Sequence, residues 1–449
     1  MRRWLLASSS LVAASLIAAP SMAQQAAPQK KAAEKLQLGI TGYWVMNFVV
    51  ASQDERGVLP ASASSTNFTN QGGTGCGTPP RRRNHSLFNE GEVHFQGETT
   101  LDSGLKVGLR VELEASRNAG TATTTATNTA NGGAETSGNF DTNIDQVFAW
   151  FDGAFGRIDA GQTYGAAFNL QYAGPSPFPN FIQTNNIAPI PAPGNTASGT
   201  NAAAIPIYNI GFGIDDRNQK LAYYSPRLFG VQLGLSYSPD GDANARGGNQ
   251  VDQMSMDNNA GQQSQAFQFG GNFRDKFGGV ELGLSAGYLR TSAEPCTNSA
   301  FIDCKSTANG VTIDDRRQWA LGATVAMAGF TLGGTYRQDN QGLKNPGRDA
   351  TAWQIGGNYK TGPWTFGAEY IRIEAEQIDA TPATAMSKHK DTLDEWAAGA
   401  IYNLGPGIDV YGGMIRMRWS NGDSSQAGAA KLAQENDAWL GVLGAKLQF

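Results

Sequence analysis

Apolar and charged side chains alternate with a period of two along most of this chain, and that restricts the folds open to it. From Leu105 to Ser116, one parity holds Leu105, Val107, Leu109, Val111 and Leu113, and the other holds Lys106, Arg110, Glu112 and Glu114. From Gly91 to Leu101, Val93 and Phe95 oppose Glu92, His94, Gln96 and Glu98. Phe267, Phe269 and Phe273 oppose Gln268, Asn272 and Arg274, and Trp353, Ile355 and Tyr359 oppose Gln354, Asn358 and Lys360. Successive side chains of an extended chain point to opposite faces, so each stretch reads as a half-buried antiparallel strand.

Sixteen such stretches begin near Leu36, Phe88, Leu105, Asn143, Gly156, Asp216, Leu228, Ser264, Gly279, Asp315, Phe330, Ala350, Pro363, Asp391, Gly407 and Asn436. Their connections alternate in length. Short turns rich in Gly, Pro and Asp fall at 102–104, 153–156, 226–230, 276–279, 329, 362–363 and 406–407. Long polar loops occupy 51–87, 118–142, 163–215, 239–263, 292–314, 340–350, 377–391 and 420–435. An even strand number, with short turns at one end and long loops at the other, is the plan of a transmembrane barrel. A soluble sandwich has no reason to segregate loop lengths in this way.

Composition is compatible with that plan but does not select it. The chain has 56 Gly among 449 residues and 10% aromatics, and its mean hydropathy of −0.35 is too polar for a helical membrane protein. Such values suit a barrel in which alternate residues face lipid, and equally a secreted soluble all-β protein such as an adhesin. Aromatic placement favours the barrel. Tyr223, Tyr237, Tyr288, Trp319, Tyr336, Trp364, Tyr370, Tyr402, Trp419 and Trp439 are assigned to apolar faces, many near strand ends, where interfacial girdles belong. The expected fold is all-β: a 16-stranded antiparallel transmembrane β-barrel over 36–449, with short periplasmic turns and long extracellular loops.

The two ends fit an exported barrel. Met1-Arg2-Arg3, an apolar stretch from Trp4 to Ala19 and Ser21-Met22-Ala23 read as a signal peptide spanning 1–23. Residues 24–35 read as a short periplasmic lead, too short for the folded plug of larger barrels. Beyond the signal peptide no apolar run reaches the roughly 18 residues of a spanning helix. The terminal segment NDAWLGVLGAKLQF places Trp439, Leu443, Leu447 and Phe449 on one parity. It resembles the last strand of Gram-negative outer-membrane barrels, which their assembly machinery reads through the terminal aromatic, here Phe449. Export also places the cysteines in an oxidising compartment. Cys296 and Cys304 sit close together in one loop and are expected to pair as a disulfide, leaving Cys76 over.

The chain resembles the general Gram-negative porins. The resemblance rests on FAWFDGAFGRIDAGQ (Phe148 to Gln162), on DDRNQKLAYYSPRLFGVQLGLSYSPD (Asp215 to Asp240) and on the strand ending at Phe449, in that order and spacing. It implies sixteen strands, a homotrimer in outer-membrane lipid, a third loop folded into the lumen, and passive diffusion of ions and small hydrophilic solutes.

In such a channel the inward charges tune selectivity. The pore-lining candidates are Lys106, Arg110, Glu112, Arg274, Arg337, Lys360, Glu369, Arg416 and Arg418, with Lys106/Arg110 and Arg416/Arg418 as paired steps of a positive ladder. The third loop departs from the family's acidic pattern, because Tyr164 to Ile214 holds no Asp, Glu, Lys or Arg. It offers Phe168, Tyr172, Phe178, Phe181, Tyr208 and Phe212 as constriction candidates. Weak selectivity or a mild anion preference is expected. Glu90, Glu92, Glu98, Glu112 and Glu114 leave a mild cation preference open, and the loop aromatics leave open a solute-specific channel for sugars or other ring solutes.

Enzyme chemistry has little to stand on. The only histidines are His85, His94 and His389, and none lies near a nucleophile motif. No cofactor motif is present, no Cys or His pair has zinc spacing, and no metal site is expected. Nucleic acid is not an expected partner. Arg81-Arg82-Arg83 is the only basic run, and the net charge of −5 counts Arg2 and Arg3, so the mature chain is more acidic still.

Overall fold

The computed structural model describes residues 36–53, 84–115, 144–179, 217–240, 263–294, 312–344, 349–378, 388–420, 422 and 435–449. The expectations for 1–35, for all three cysteines and for Phe181, Tyr208 and Phe212 fall outside these residues.

The strands are β1 (Gly39–Gln53), β2 (His85–Thr100), β3 (Lys106–Glu114), β4 (Ile144–Gly153), β5 (Gly156–Gln162), β6 (Gln219–Tyr224), β7 (Val231–Asp240), β8 (Gln263–Phe277) and β9 (Val280–Ala293). There follow β10 (Thr312–Ile313), β11 (Arg317–Met327), β12 (Phe330–Asp339), β13 (Leu343–Lys344), β14 (Ala350–Thr361), β15 (Trp364–Ile378), β16 (Lys388–Gly405), β17 (Ile408–Ser420) and β18 (Asn436–Gln448). Every barrel strand begins within three residues of its sequence-predicted start. The unforeseen pieces are the ribbon formed by β10 and β13 and a single helical turn, α1 (Ala166–Asn169).

All strands except β10 and β13 form one closed barrel, each antiparallel to its neighbours in the chain. Closure is made by β18 on β1, from Tyr43 opposite Gln448 to Gln53 opposite Ala438. Phe449 completes the seam. Its N–H donates to Gly42 O at 3.0 Å, and Gly42 N–H donates to Phe449 O at 2.9 Å. A barrel leaves no unpaired edge, the condition for strands to cross lipid, where nothing else satisfies backbone polar groups. Among the described residues no helix is long and apolar enough to cross a membrane.

The outer face is apolar and exposed, with Leu221, Leu233, Phe269, Leu321, Leu332, Ile355, Phe366 and Leu443 around its middle. Aromatics ring it at two levels. Toward the loop ends, Trp396–Tyr370, Tyr370–Trp353, Trp319–Tyr336 and Tyr237–Phe267 touch across strands. Toward the turns, Trp364–Tyr402 and Phe330–Tyr359 do the same. These are the interfacial girdles expected of a spanning barrel.

Strand β17 reverses one expectation. Its register puts Tyr411, Ile415, Met417 and Trp419 on the inner face, where they are buried in an apolar cluster with Ile371, Ile373, Leu393, Leu440, Val45 and Val49. Arg416 and Arg418, of the opposite parity, therefore stand on the outer face and are not pore-lining. Trp419 in turn is not a girdle residue. Arg416 lies 5.6 Å over the Trp396 ring and 5.3 Å over the Trp439 ring, and pairs with Asp437 at 2.8 Å. Near a headgroup boundary a guanidinium can keep its charge in the polar layer while its stem and plane cover aromatic surface.

Candidate functional site: the lumen

After β5 the chain leaves the wall and crosses the inside of the barrel. This is why β5 and β6 are short, 7 and 6 residues, where their neighbours have 10. Residues 163–178 then follow the inner wall from β6 to β17. Asn169 Nδ2 donates to the Tyr224 hydroxyl at 2.6 Å, and Ala166 N–H to Ser236 Oγ on β7 at 3.0 Å. Ala167 N–H meets Gln268 Oε1 on β8 at 3.1 Å, and Tyr172 N–H meets Ser285 Oγ on β9 at 2.8 Å. Gln171 Nε2 reaches Thr335 Oγ1 on β12 at 3.0 Å. Gln354 Nε2 on β14 donates to Gly174 O at 3.1 Å, and Ser176 Oγ donates to Glu369 Oε1 on β15 at 2.6 Å. Phe178 ends the run beside Tyr411 of β17, ring centroids 6.3 Å apart.

The belt lies this close because the wall beneath it lacks side chains. A Cβ at Gly270 would sit 2.7 Å from Ala166 O, at Gly367 2.9 Å from Pro177 Cα, and at Gly399 2.8 Å from the Phe178 ring. At Gly322 it would overlap Tyr172 O, and at Gly356 Pro175 O. These glycines provide close backbone approach, one of the roles glycine serves inside a strand.

The belt carries no charge. Phe168 stacks on Tyr164 at 4.2 Å and packs against Leu289 and Ala320, while Phe178 is buried. Tyr172 is half-buried beside Gly283. At the return to the wall, Arg217 pairs with Asp145 and lies 5.4 Å over the Tyr164 ring. Lys220 Nζ donates to Thr163 O at 2.5 Å.

Seven of the sequence-predicted pore-lining residues share the inner face, but they do not converge. Lys106 pairs with Glu98 at 3.1 Å and Arg274 with Glu281 at 3.5 Å, and Lys360 lies exposed next to a turn; all three are at the periplasmic end. Arg337 is buried 3.7 Å from Asp339. Glu369 is held by the belt through Ser176 and by Gln354 Nε2 at 2.8 Å. Arg110 and Glu112 are joined to each other on β3. No positive ladder exists among the described residues, and each of these cations except Lys360 faces a carboxylate on its own wall.

The β2–β3 wall, away from the belt, carries the densest charge. Register places Glu92 opposite Glu114, His94 opposite Glu112 and Gln96 opposite Arg110, with Glu90 one inward position further on. His94 Nε2 lies 2.7 Å from Glu92 Oε2 and 3.8 Å from Glu112 Oε1. Arg110 Nη2 lies 3.3 Å from His94 Nδ1, and Gln146 Nε2 from β4 donates to Glu112 Oε2. Glu92, His94 and Glu112 are 98% buried, under the edge of the Tyr43 ring. The expectation of no metal site rests on spacing along the chain. This group is made by pairing between strands, so linear spacing misses it.

A closed sixteen-stranded barrel with two aromatic girdles, an apolar outer band and a loop lying inside defines a class, the outer-membrane β-barrel channels. More particularly, the chain belongs to the Gram-negative porin family, whose model matches residues 7–422. It is an outer-membrane channel of a Gram-negative bacterium, through which ions and small hydrophilic solutes diffuse passively. Among solved structures, the anion-selective porin from Comamonas acidovorans is similar at 16% identity and a TM-score of 0.50, over 92% of this chain and 100% of that one. A loop-deletion mutant of an outer membrane protein of Vibrio cholerae is similar at 10% identity and a TM-score of 0.48, over 92% and 99%. A Rh. blastica porin mutant is similar at 16% identity and a TM-score of 0.44, over 92% and 100%. These likenesses are of fold. A comparison with curated proteins finds no significant match.

Proposed function

We propose that this porin conducts between the uncharged belt and the β1–β5 wall, and that it passes cations in preference to anions. One observation carries this reading: the belt covers the β7–β17 side, and the opposite wall at β2–β3 offers Glu90, Glu92, Glu98, Glu112 and Glu114 against Lys106 and Arg110. Fixed charge lining a low-dielectric passage concentrates counter-ions there. The outward turn of Arg416 and Arg418 removes two of the cations that favoured anions.

The test is the zero-current potential of purified, refolded protein in a planar bilayer under a KCl gradient. A potential of cation-selective sign is expected. An anion-selective sign, or none, sinks the proposal while leaving the channel intact. The solute-specific alternative has less support, because Phe168 and Phe178 already spend their faces on packing.

Family membership supports three further readings: assembly as a homotrimer, removal of residues 1–23 on export, and recognition of Phe449 by the barrel assembly machinery. Cross-linking, mass spectrometry of the mature N-terminus and a Phe449 deletion test them in turn. Pairing of Cys296 with Cys304 is proposed from their shared loop alone, and peptide mapping without reductant tests it.

A further inference from the structure

We propose that Glu92, His94 and Glu112 form a binding site for a divalent transition-metal cation on the inner wall of the channel, with Zn2+ as the reference ion. The site follows from strand geometry. Residues two apart on one strand share a face, and the residue directly opposite on the next strand joins them at about 4.5–5.5 Å between Cβ atoms. Glu92 and His94 are two apart on β2, and Glu112 is opposite His94 on β3. One nitrogen and two carboxylate oxygens from these residues all lie within 4.8 Å of one another.

The spacing suits a small cation. Ligands about 2.0–2.2 Å from a tetrahedral Zn2+ stand about 3.4 Å apart, and the observed separations from His94 Nε2 of 2.7 and 3.8 Å bracket that value. The donor set also points to a metal of intermediate softness. Imidazole with carboxylates suits Zn2+ and its first-row neighbours, whereas Ca2+ and Mg2+ prefer oxygen alone.

Two independent features single out this group among the lumen charges. The first is the imidazole, fixed between two carboxylates and 98% buried, as only a deliberate ligand or a well-satisfied structural group would be. The second is the Glu92 carboxylate, buried against His94 and hydrogen-bonded by the Tyr43 hydroxyl, which holds it in place beside the ring. Glu90 and Glu114 stand beside Glu92 in an overlapping group, which gives an arriving cation a stepping stone.

Arg110 sets the cost of occupancy. Its guanidinium contacts Glu112 and lies 3.3 Å from His94 Nδ1. Binding requires the Nε2 lone pair. The bound ring then carries its one proton on Nδ1, and Arg110 withdraws from that nitrogen toward Gln96, its cross-strand neighbour. The cation then substitutes for the guanidinium between the carboxylates. It brings two positive charges to the acidic wall, and occupancy makes the channel less cation-selective.

The test is calorimetric titration of the refolded full chain in detergent with Zn2+ alone. One Zn2+ per chain is expected, with affinity reduced at least tenfold by His94→Gln and by Glu92→Gln, and unchanged by His85→Gln. Folding of each variant is checked by heat-modifiable gel mobility. A second measurement needs no variant: Zn2+ should raise the temperature at which the native barrel unfolds, whereas equal Ca2+ should not. No saturable Zn2+ binding, binding indifferent to both substitutions, or an unfolding temperature that Zn2+ leaves unchanged would each overturn the proposal. Binding is read by heat and by unfolding temperature, so failure here is distinguishable from failure of the ion-preference reading.

Discussion

At the scale of the residue, the reversal in β17 is instructive. Its two parities looked equivalent, because Val410 and Met414 supply apolar bulk to one face while Ile415 and Met417 supply it to the other. The usual rule, charge to water and tryptophan to lipid, then assigned Arg416 and Arg418 to the lumen. What decides the matter lies on other strands: Trp396 and Trp439 accept the guanidinium, and Asp437 pairs with it. A strand read alone contains none of these. Glu112 and Lys106 were legible because their own strand had a clean apolar face. Two variants separate the faces. Arg416→Gln should leave the zero-current potential unchanged and lower the temperature at which the barrel unfolds. Glu112→Gln should reduce the cation preference. A large shift in potential from Arg416→Gln would show that the residue reaches the conducting path after all.

At the scale of the element, the belt shows what periodicity does not record. Tyr164 to Ile214 has no period of two or of 3.6, so its inward fold was expected only from its lack of charge and from resemblance. Its path was nonetheless present in the sequence, distributed over the strands it touches. Gly270, Gly322, Gly356, Gly367, Gly399 and Gly413 all fall on inward parities, where a lumen wall would ordinarily carry polar side chains. Read singly, each glycine is unremarkable in a chain with 56 of them. Only the register aligns them into a track. Gly356→Val should therefore act through the belt. Overpacking of this kind costs about 1–3 kcal/mol, and displacement of Pro175 should change unitary conductance and open residues 164–178 to protease. Gly441→Val, on the outer face with open space around it, is the control and should alter neither.

At the scale of the whole molecule, the alternating faces specify strands, the alternating loop lengths specify an up-and-down order, and lipid requires that the sheet close. The sixteen-strand barrel was thus legible from end to end, whereas the interior, which depends on contacts between strands far apart in sequence, was not. The seam is the one place where barrel strands distant in the chain must meet. Deleting Phe449 removes both backbone hydrogen bonds to Gly42 and exposes the end of β1. The yield of heat-modifiable folded barrel should fall, while hairpins formed elsewhere keep their β-signature by circular dichroism. Equal yield from the shortened chain would show that the seam needs only the strand pairs above it.

That seam also has a consequence in time. Each other join is between barrel strands consecutive in the chain, and those across the short turns can be made as local hairpins within microseconds. The β1–β18 join closes a loop of nearly the entire polypeptide, and the entropy of that closure is repaid only when the last strand arrives. Until then the growing sheet carries two bare edges, each able to pair with another unfinished copy. The hazard for this protein is therefore concentrated in the interval before its final strand docks, and the residue that ends that interval is the last one in the chain.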